Sequence, residues 1–83
     1  MQSPPLHLRI VSPAKVLLDS YVSSVSSKNS AGKFDILDNH ANFITIIEDQ
    51  PIDIKTDNQK PVTVQFKTAI ISVSENNVNI YTY

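Results

Sequence analysis

The chain has 83 residues, of which 41% are hydrophobic and 18% charged, with a formal net charge of -1 and no cysteine. That length is read as one domain, residues 1–83, burying only about 60 to 65% of the surface its unfolded chain exposes. The charge balance argues against a nucleic-acid binder, the lack of cysteine excludes disulfides and cysteine-ligated zinc, and no apolar run approaches the roughly 18 residues of a membrane-spanning helix. Residues 1–5 carry neither a basic region nor an apolar core, so no signal peptide is expected and no direct membrane insertion. A cytosolic location is the default, with peripheral attachment to a membrane complex left open.

Along the chain the apolar period is two almost everywhere. Leu6, Leu8 and Ile10 alternate with His7, Arg9 and Val11, the pattern of a half-buried strand. Ser12 and Pro13 break it, and a second strand starting at residues 16–18 can pair back. Tyr21, Ser23, Val25 and Ser27 alternate with Val22, Ser24 and Ser26, which reads as a polar edge or partly exposed strand. Residues 28–32 form a turn cluster. Phe34, Ile36 and Leu37 make a short strand that Asp38 and Asn39 end. Residues 43–48 are a β-branched run, and residues 43–47 together with residues 62–66 are read as core. Pro51 opens a strand with Ile52 and Ile54 inward and Asp53 and Lys55 outward, and residues 56–60 turn into Val62, Val64 and Phe66. The chain closes with residues 69–73, a turn at Glu75, Asn76 and Asn77, and Val78, Ile80 and Thr82.

About eight to ten short strands, with turn signals roughly every 8 to 12 residues and no helical period, predict an all-β fold, a small β-sandwich of two sheets. Gly32 is the single glycine, so tight turns must rely on Asn and Asp, which tolerate left-handed backbone. The pairs 38–39, 57–58 and 76–77 stand where such turns are needed. Phe34, Phe43 and Phe66 are assigned to packing.

No chemistry is legible. There is no cysteine nucleophile, and no serine sits in an elbow motif. A metal reading of His40 with Asp38 and Asp35 lacks further ligands. His40 is read more simply as a loop histidine bonded to local backbone, and Ser12 as a turn residue before Pro13.

Four blocks carry a family resemblance. They are Ile10-Val11-Ser12-Pro13; then Gly32, Phe34, Ile36, Leu37, His40, Ala41 and Thr45 in order and spacing; then Ile54-Lys55-Thr56-Asp57; then Ile71-Ser72-Val73 with Val78-Asn79-Ile80. Together they resemble the N-terminal β-sandwich domain of the epsilon subunit of the F-type ATP synthase, called delta in mitochondria. Departures occur at Asp35, which stands at a family glycine, at Asp38-Asn39 in place of Pro-Gly, at Asn42 for a common proline, and at Lys67-Thr68-Ala69 for Ser-Gly-Gly. Lys33 stands where bacterial members often carry glutamate.

The resemblance implies a non-catalytic rotor subunit of the central stalk, linking the gamma subunit to the membrane rotor ring and so coupling ATP synthesis to proton or sodium transport. It implies no cofactor and a peripheral position on the cytoplasmic, matrix or stromal face of an energy-coupling membrane. By motif position, Ser12, His40, Ala41 and Thr45 would face gamma, and Lys33, Asp35 and Asp38 the ring. With a cation at Lys33, the acidic side of the ring pairing is expected to pass to Asp35 and Asp38, or the facing ring loop to have changed charge; the plainer alternative is a solvated surface lysine, worth about 0 to 1 kcal/mol. Members often continue into a C-terminal helical hairpin that inhibits hydrolysis or binds ATP. The chain stops at Tyr83, so neither property is expected from it, and Tyr81 and Tyr83 are placed either near gamma or over the sandwich end. The competing reading is a stand-alone β-sandwich module that binds protein or carbohydrate.

Overall fold

The computed structural model describes residues 5–57 and 59–82. Asn58 and Tyr83, named above for a turn and for an interface, lie outside the described residues.

Nine strands form two sheets, and no helix occurs among the described residues. The strands are β1 (Leu6–Val11), β2 (Val16–Val22), β3 (Ser24–Asn29), β4 (Gly32–Ile36), β5 (Phe43–Glu48), β6 (Pro51–Lys55), β7 (Val62–Gln65), β8 (Thr68–Ser74) and β9 (Asn77–Thr82). The larger sheet has the order β2-β1-β9-β8-β5 and the smaller β4-β3-β6-β7. All neighbours are antiparallel except β1 and β9, which run parallel.

Period two puts one set of side chains between the sheets. From the larger sheet come Leu6, Leu8, Ile10, Val22, Ile47, Ala69, Ile71, Val73, Val78 and Ile80; from the smaller come Val25, Ile36, Ile52 and Ile54. All are buried, and Leu18, Phe34, Phe43, Val64 and Phe66 pack around them, as expected for the three phenylalanines. Each fully buried aliphatic side chain contributes about 1.5 to 3 kcal/mol of transfer free energy, so this layer is what holds the sheets together. The two buried hydroxyls are satisfied by main chain: Ser27 Oγ donates to the Pro51 carbonyl at 2.9 Å and Thr82 Oγ1 to that of Thr68 at 3.2 Å.

The turns follow the scarcity of glycine. Asn39 (φ 63°), Asp49 (φ 53°), Glu75 (φ 49°) and Asn76 (φ 63°) all take left-handed backbone. Glu75 and Asn76 form the two-residue loop between β8 and β9, where positive φ at both positions matches the twist of the flanking strands. Gly32, at φ 124°, is used where the β3–β4 hairpin re-enters the ladder opposite Asn29. A Cβ there would meet nothing within 4 Å, so backbone conformation alone selects glycine.

Three sequence readings change. Residues 21–27 are not one strand: β2 ends at Val22, the chain switches sheets at Ser23, and β3 begins at Ser24. The Ser23 N–H donates to the Lys55 carbonyl at 2.7 Å, and its Oγ to Asp57 Oδ1 at 2.8 Å, which anchors the crossing. Of the two readings of that stretch, the partly exposed strand holds for β3 and the edge does not, because β3 lies between β4 and β6; its serines are tolerated because all but Ser27 are only partly buried. Finally, β5 and β7 are not wholly core. Ile44 is 74% exposed, Ile46 57% and Val62 52%.

Candidate functional site

The outer face of the larger sheet carries an apolar row made by register. Ile46 of β5 stands opposite Ile70 of β8, Ile70 opposite Tyr81 of β9, and Tyr81 opposite Val11 of β1. Ile44 extends the row along β5, and Val16 and Leu17, also exposed, stand at its far side where a bulge shifts the β1–β2 pairing. Cross-strand partners share a face, so these side chains form one band rather than scattered exposures. A contiguous apolar band of this kind on a small domain marks an interaction surface more often than a fold requirement.

The next rows on that face are polar. His7 and Arg9 of β1 both reach Asp19 of β2: His7 Nε2 hydrogen-bonds one carboxylate oxygen, and Arg9 Nε lies 3.5 Å from the other. Tyr21 stacks on the His7 ring, centroids 4.8 Å apart.

Ser12 lies beside the apolar row. Its hydroxyl is engaged in its own turn, donating to the Lys15 carbonyl at 3.2 Å and accepting from the Lys15 N–H at 3.3 Å. A shallow hollow next to it is lined by Val11, Pro13, Tyr81 and Thr82. His40 and Ala41 lie at the opposite end of the sheet, in residues 37–42 that connect β4 to β5. Here Asn76 acts as a brace: its Oδ1 accepts from the Asn39 N–H at 2.9 Å, and its Nδ2 donates to Asp38 Oδ1 at 2.8 Å. His40 Nδ1 lies 2.8 Å from the Ala41 carbonyl, and its ring meets Phe43 edge-on at 5.5 Å. The loop is open to solvent over Asp38, Asn39, Ala41 and Asn42.

The seven residues singled out in the sequence therefore do not form one cluster. His40 and Ala41 share a hollow with Asn39, Asn42, Glu75 and Asn76. Thr45 sits at the β5 edge, half-buried, where its Oγ1 accepts from Asn29 Nδ2 of the β3–β4 hairpin at 2.9 Å. Lys33 and Asp35 lie side by side on the outer face of the smaller sheet, while Asp38 is held apart by Asn76. The sequence reading missed the apolar row itself. Its signal was present, since residues 43–47 are apolar on both phases of the period, but a strand buried on both faces reads the same way.

That outer face of the smaller sheet is charged. Lys28 and Lys33 are cross-strand partners, Asp35 faces Ser26, Ser26 faces Asp53, and Lys55 faces Ser24. Asp53 accepts from Thr63 Oγ1 at 2.8 Å. Among the described residues, no group of three or more His, Cys, Asp or Glu could hold a metal ion, and no helix is long and apolar enough to cross a membrane.

Comparison with known proteins agrees with this architecture. The profile of the ATP synthase delta/epsilon chain β-sandwich domain matches residues 5–83. An ATP synthase epsilon chain of Campylobacter concisus is 35% identical over 75 residues, covering 90% of this chain and 58% of the relative. The chloroplastic epsilon chain of Bigelowiella natans is 31% identical over 78 residues, covering 93% and 57%. The chain thus spans less than two thirds of the length of these relatives. Among solved structures, a chain of the Tetrahymena thermophila mitochondrial ATP synthase central stalk and c-ring superposes with a TM-score of 0.79 at 13% identity, over 99% of this chain and 66% of that one. A chain of the Euglena gracilis mitochondrial ATP synthase does so at 0.86 and 14%, over 99% and 53%. With a two-sheet core, a matching profile over nearly its whole length and relatives of that kind, the chain belongs to the ATP synthase delta/epsilon β-sandwich family.

Proposed function

We propose that this chain is a non-catalytic rotor subunit of an F-type ATP synthase, fastening the gamma subunit to the membrane rotor ring so that torque passes between them. The observation that carries the reading is the apolar row Ile46–Ile70–Tyr81–Val11 on the outer face of the larger sheet. It is a ready surface for gamma. Ser12 stands at one end of that face and the His40–Ala41 loop at the other, so one elongated partner lying along the sheet can reach both. Thr45 contributes by holding the β3–β4 hairpin to the edge of the same sheet. Lys33 and Asp35, on the opposite outer face, are available to the ring. Asp38 is assigned a bracing part through Asn76 rather than a ring contact.

The chemistry suits a coupling part. Close-packed interiors are stiff and transmit strain, so force applied to one sheet passes to the other through the interlocked aliphatic layer. The association with the membrane is peripheral, through the ring.

Affinity capture of the tagged chain from its own source membranes tests this. Recovery of gamma together with the ring subunit is the expected result. Recovery of the tagged chain with neither gamma nor the ring subunit would remove the proposal.

A further inference from the structure

The edge strands are β2 and β5 in the larger sheet and β4 and β7 in the smaller. Three of them are blunted against pairing with another chain. A bulge interrupts β2 where it meets Val11. Thr45 ties β5 across to Asn29, and β7 is 4 residues long with Pro61 before it. β4 has none of these devices. Among the described residues, its main chain bonds only to β3.

The hairpin decides which groups of β4 are left open. Ser30 and Ala31 make a short loop closed by the bonded pair Asn29 and Gly32. Bonded and non-bonded pairs then alternate along an antiparallel ladder. Phe34 and Ile36 therefore direct their main-chain groups to β3, while Lys33 and Asp35 direct theirs to the free edge. The side chains of Lys33 and Asp35 are exposed. Neither joins an ion pair among the described residues, where the pairs are those of Asp19 with His7 and Arg9. Lys33 instead faces Lys28, an unfavourable like charge.

We infer that β4 pairs edge to edge with β4 of a second copy of this chain, antiparallel about a two-fold axis through Phe34. Lys33 and Asp35 supply the outward main-chain groups, so they set the register. Placing Lys33 on its own copy sets cation against cation, and placing Asp35 on its own copy sets acid against acid. Centring on Phe34 sets Lys33 of each chain opposite Asp35 of the other, and those pairs exchange main-chain bonds. The run Lys33-Phe34-Asp35 is thus self-complementary, as a closed two-fold interface requires. Lys33 gains the anion that Lys28 does not supply. Phe34, whose ring packs on Phe43 beside the core, meets its counterpart at the axis. Edge charges ordinarily deter pairing; here their order deters the other registers and favours this one. Lys33 and Asp35 both depart from the family pattern, and glutamate with glycine there would supply no such complement. The interface is small, so its dissociation constant is expected on the order of micromolar or weaker. The stalk reading draws on the same two side chains for the ring, so the dimer is a form of the free chain. The inference does not rest on that reading.

Sedimentation equilibrium of the chain alone, from about 1 μM to about 1 mM, tests the pairing. The samples are wild type, Lys33→Asp, Asp35→Lys, an equal mixture of those two variants, and Tyr81→Thr as a control on the other sheet. Wild type should dimerise. Each β4 substitution alone puts like charges at both pairs and should weaken self-association about tenfold or more. Mixing the two variants sets acid opposite base again and should recover the dimer, which also shows that both variants fold. The control should dimerise as wild type does. A wild-type chain that stays monomeric to about 1 mM overturns the inference. Variants that each dimerise as wild type does, or a mixture that stays monomeric, overturn it too. Loss of the dimer in Tyr81→Thr with the β4 variants unaffected moves the contact to the apolar row and equally overturns it. None of these outcomes bears on the stalk reading.

Discussion

The two outer faces of the sandwich differ far more than the two inner ones. Inside, both sheets present the same material, mostly isoleucine, leucine and valine. Outside, the larger sheet carries an apolar row through Ile46, Ile70, Tyr81 and Val11, and the smaller carries bands of lysine and aspartate. Inner faces must satisfy each other, so they converge. Outer faces answer to whatever covers them, so they diverge with their partners. An apolar partner surface suits the first and a polar, charged loop the second.

The contrast breaks first if inner and outer isoleucines prove equivalent. Ile71 is fully buried, and Ile71→Ala should cost about 2 to 5 kcal/mol through forfeited packing and a residual cavity. Against about 4 to 12 kcal/mol expected for a chain of 83 residues, that is a large share of the total stability, read as a lower midpoint in urea titration. Ile46→Thr with Tyr81→Thr keeps β-favouring side chains on exposed positions. The pair should change stability by under about 1 kcal/mol, yet lower affinity for gamma by about 2 kcal/mol or more, read by calorimetry. Equal gamma affinity would mean the row is surface decoration.

Much of the fold was readable because strands with one wet face declare themselves. His7 and Arg9 between Leu6, Leu8 and Ile10 leave little choice of register. The sheet switch at Ser23 was harder. Val22 and Val25 are both buried although three residues apart, an odd spacing that period two forbids within one strand; the polar alternation of the serines hid that slip. Strand order was not legible either, because the parallel β1–β9 pairing joins segments from opposite ends of the chain. At the candidate surfaces, His40 and Ala41 were placed together correctly in one loop. Sequence could not show that Thr45 turns inward to Asn29, nor that Ile44 and Ile46 turn out, since both phases of β5 are apolar.

Smaller effects sharpen the contrast at the end of the sheet. Asn76→Ala removes two side-chain hydrogen bonds and puts alanine at φ 63°. A destabilisation of about 1 to 3 kcal/mol is expected by thermal or urea unfolding. Asn76→Gly keeps the backbone relaxed and loses only the bonds, so its cost should be about 1 kcal/mol smaller. If the two variants are equal, the loop is held by hydrogen bonding alone. At the weak end, Val62→Thr on the exposed edge of the smaller sheet should shift stability by no more than about 0.5 kcal/mol.

The division of labour between the faces is tested most directly by cross-linking. The chain has no cysteine, so Ile46→Cys and Lys33→Cys each give a single reactive point on this chain within the assembled complex. With a short thiol-anchored photoreactive probe, Ile46→Cys should attach to gamma and Lys33→Cys to the ring subunit. Attachment of Ile46→Cys to the ring, or of Lys33→Cys to gamma, would contradict the account.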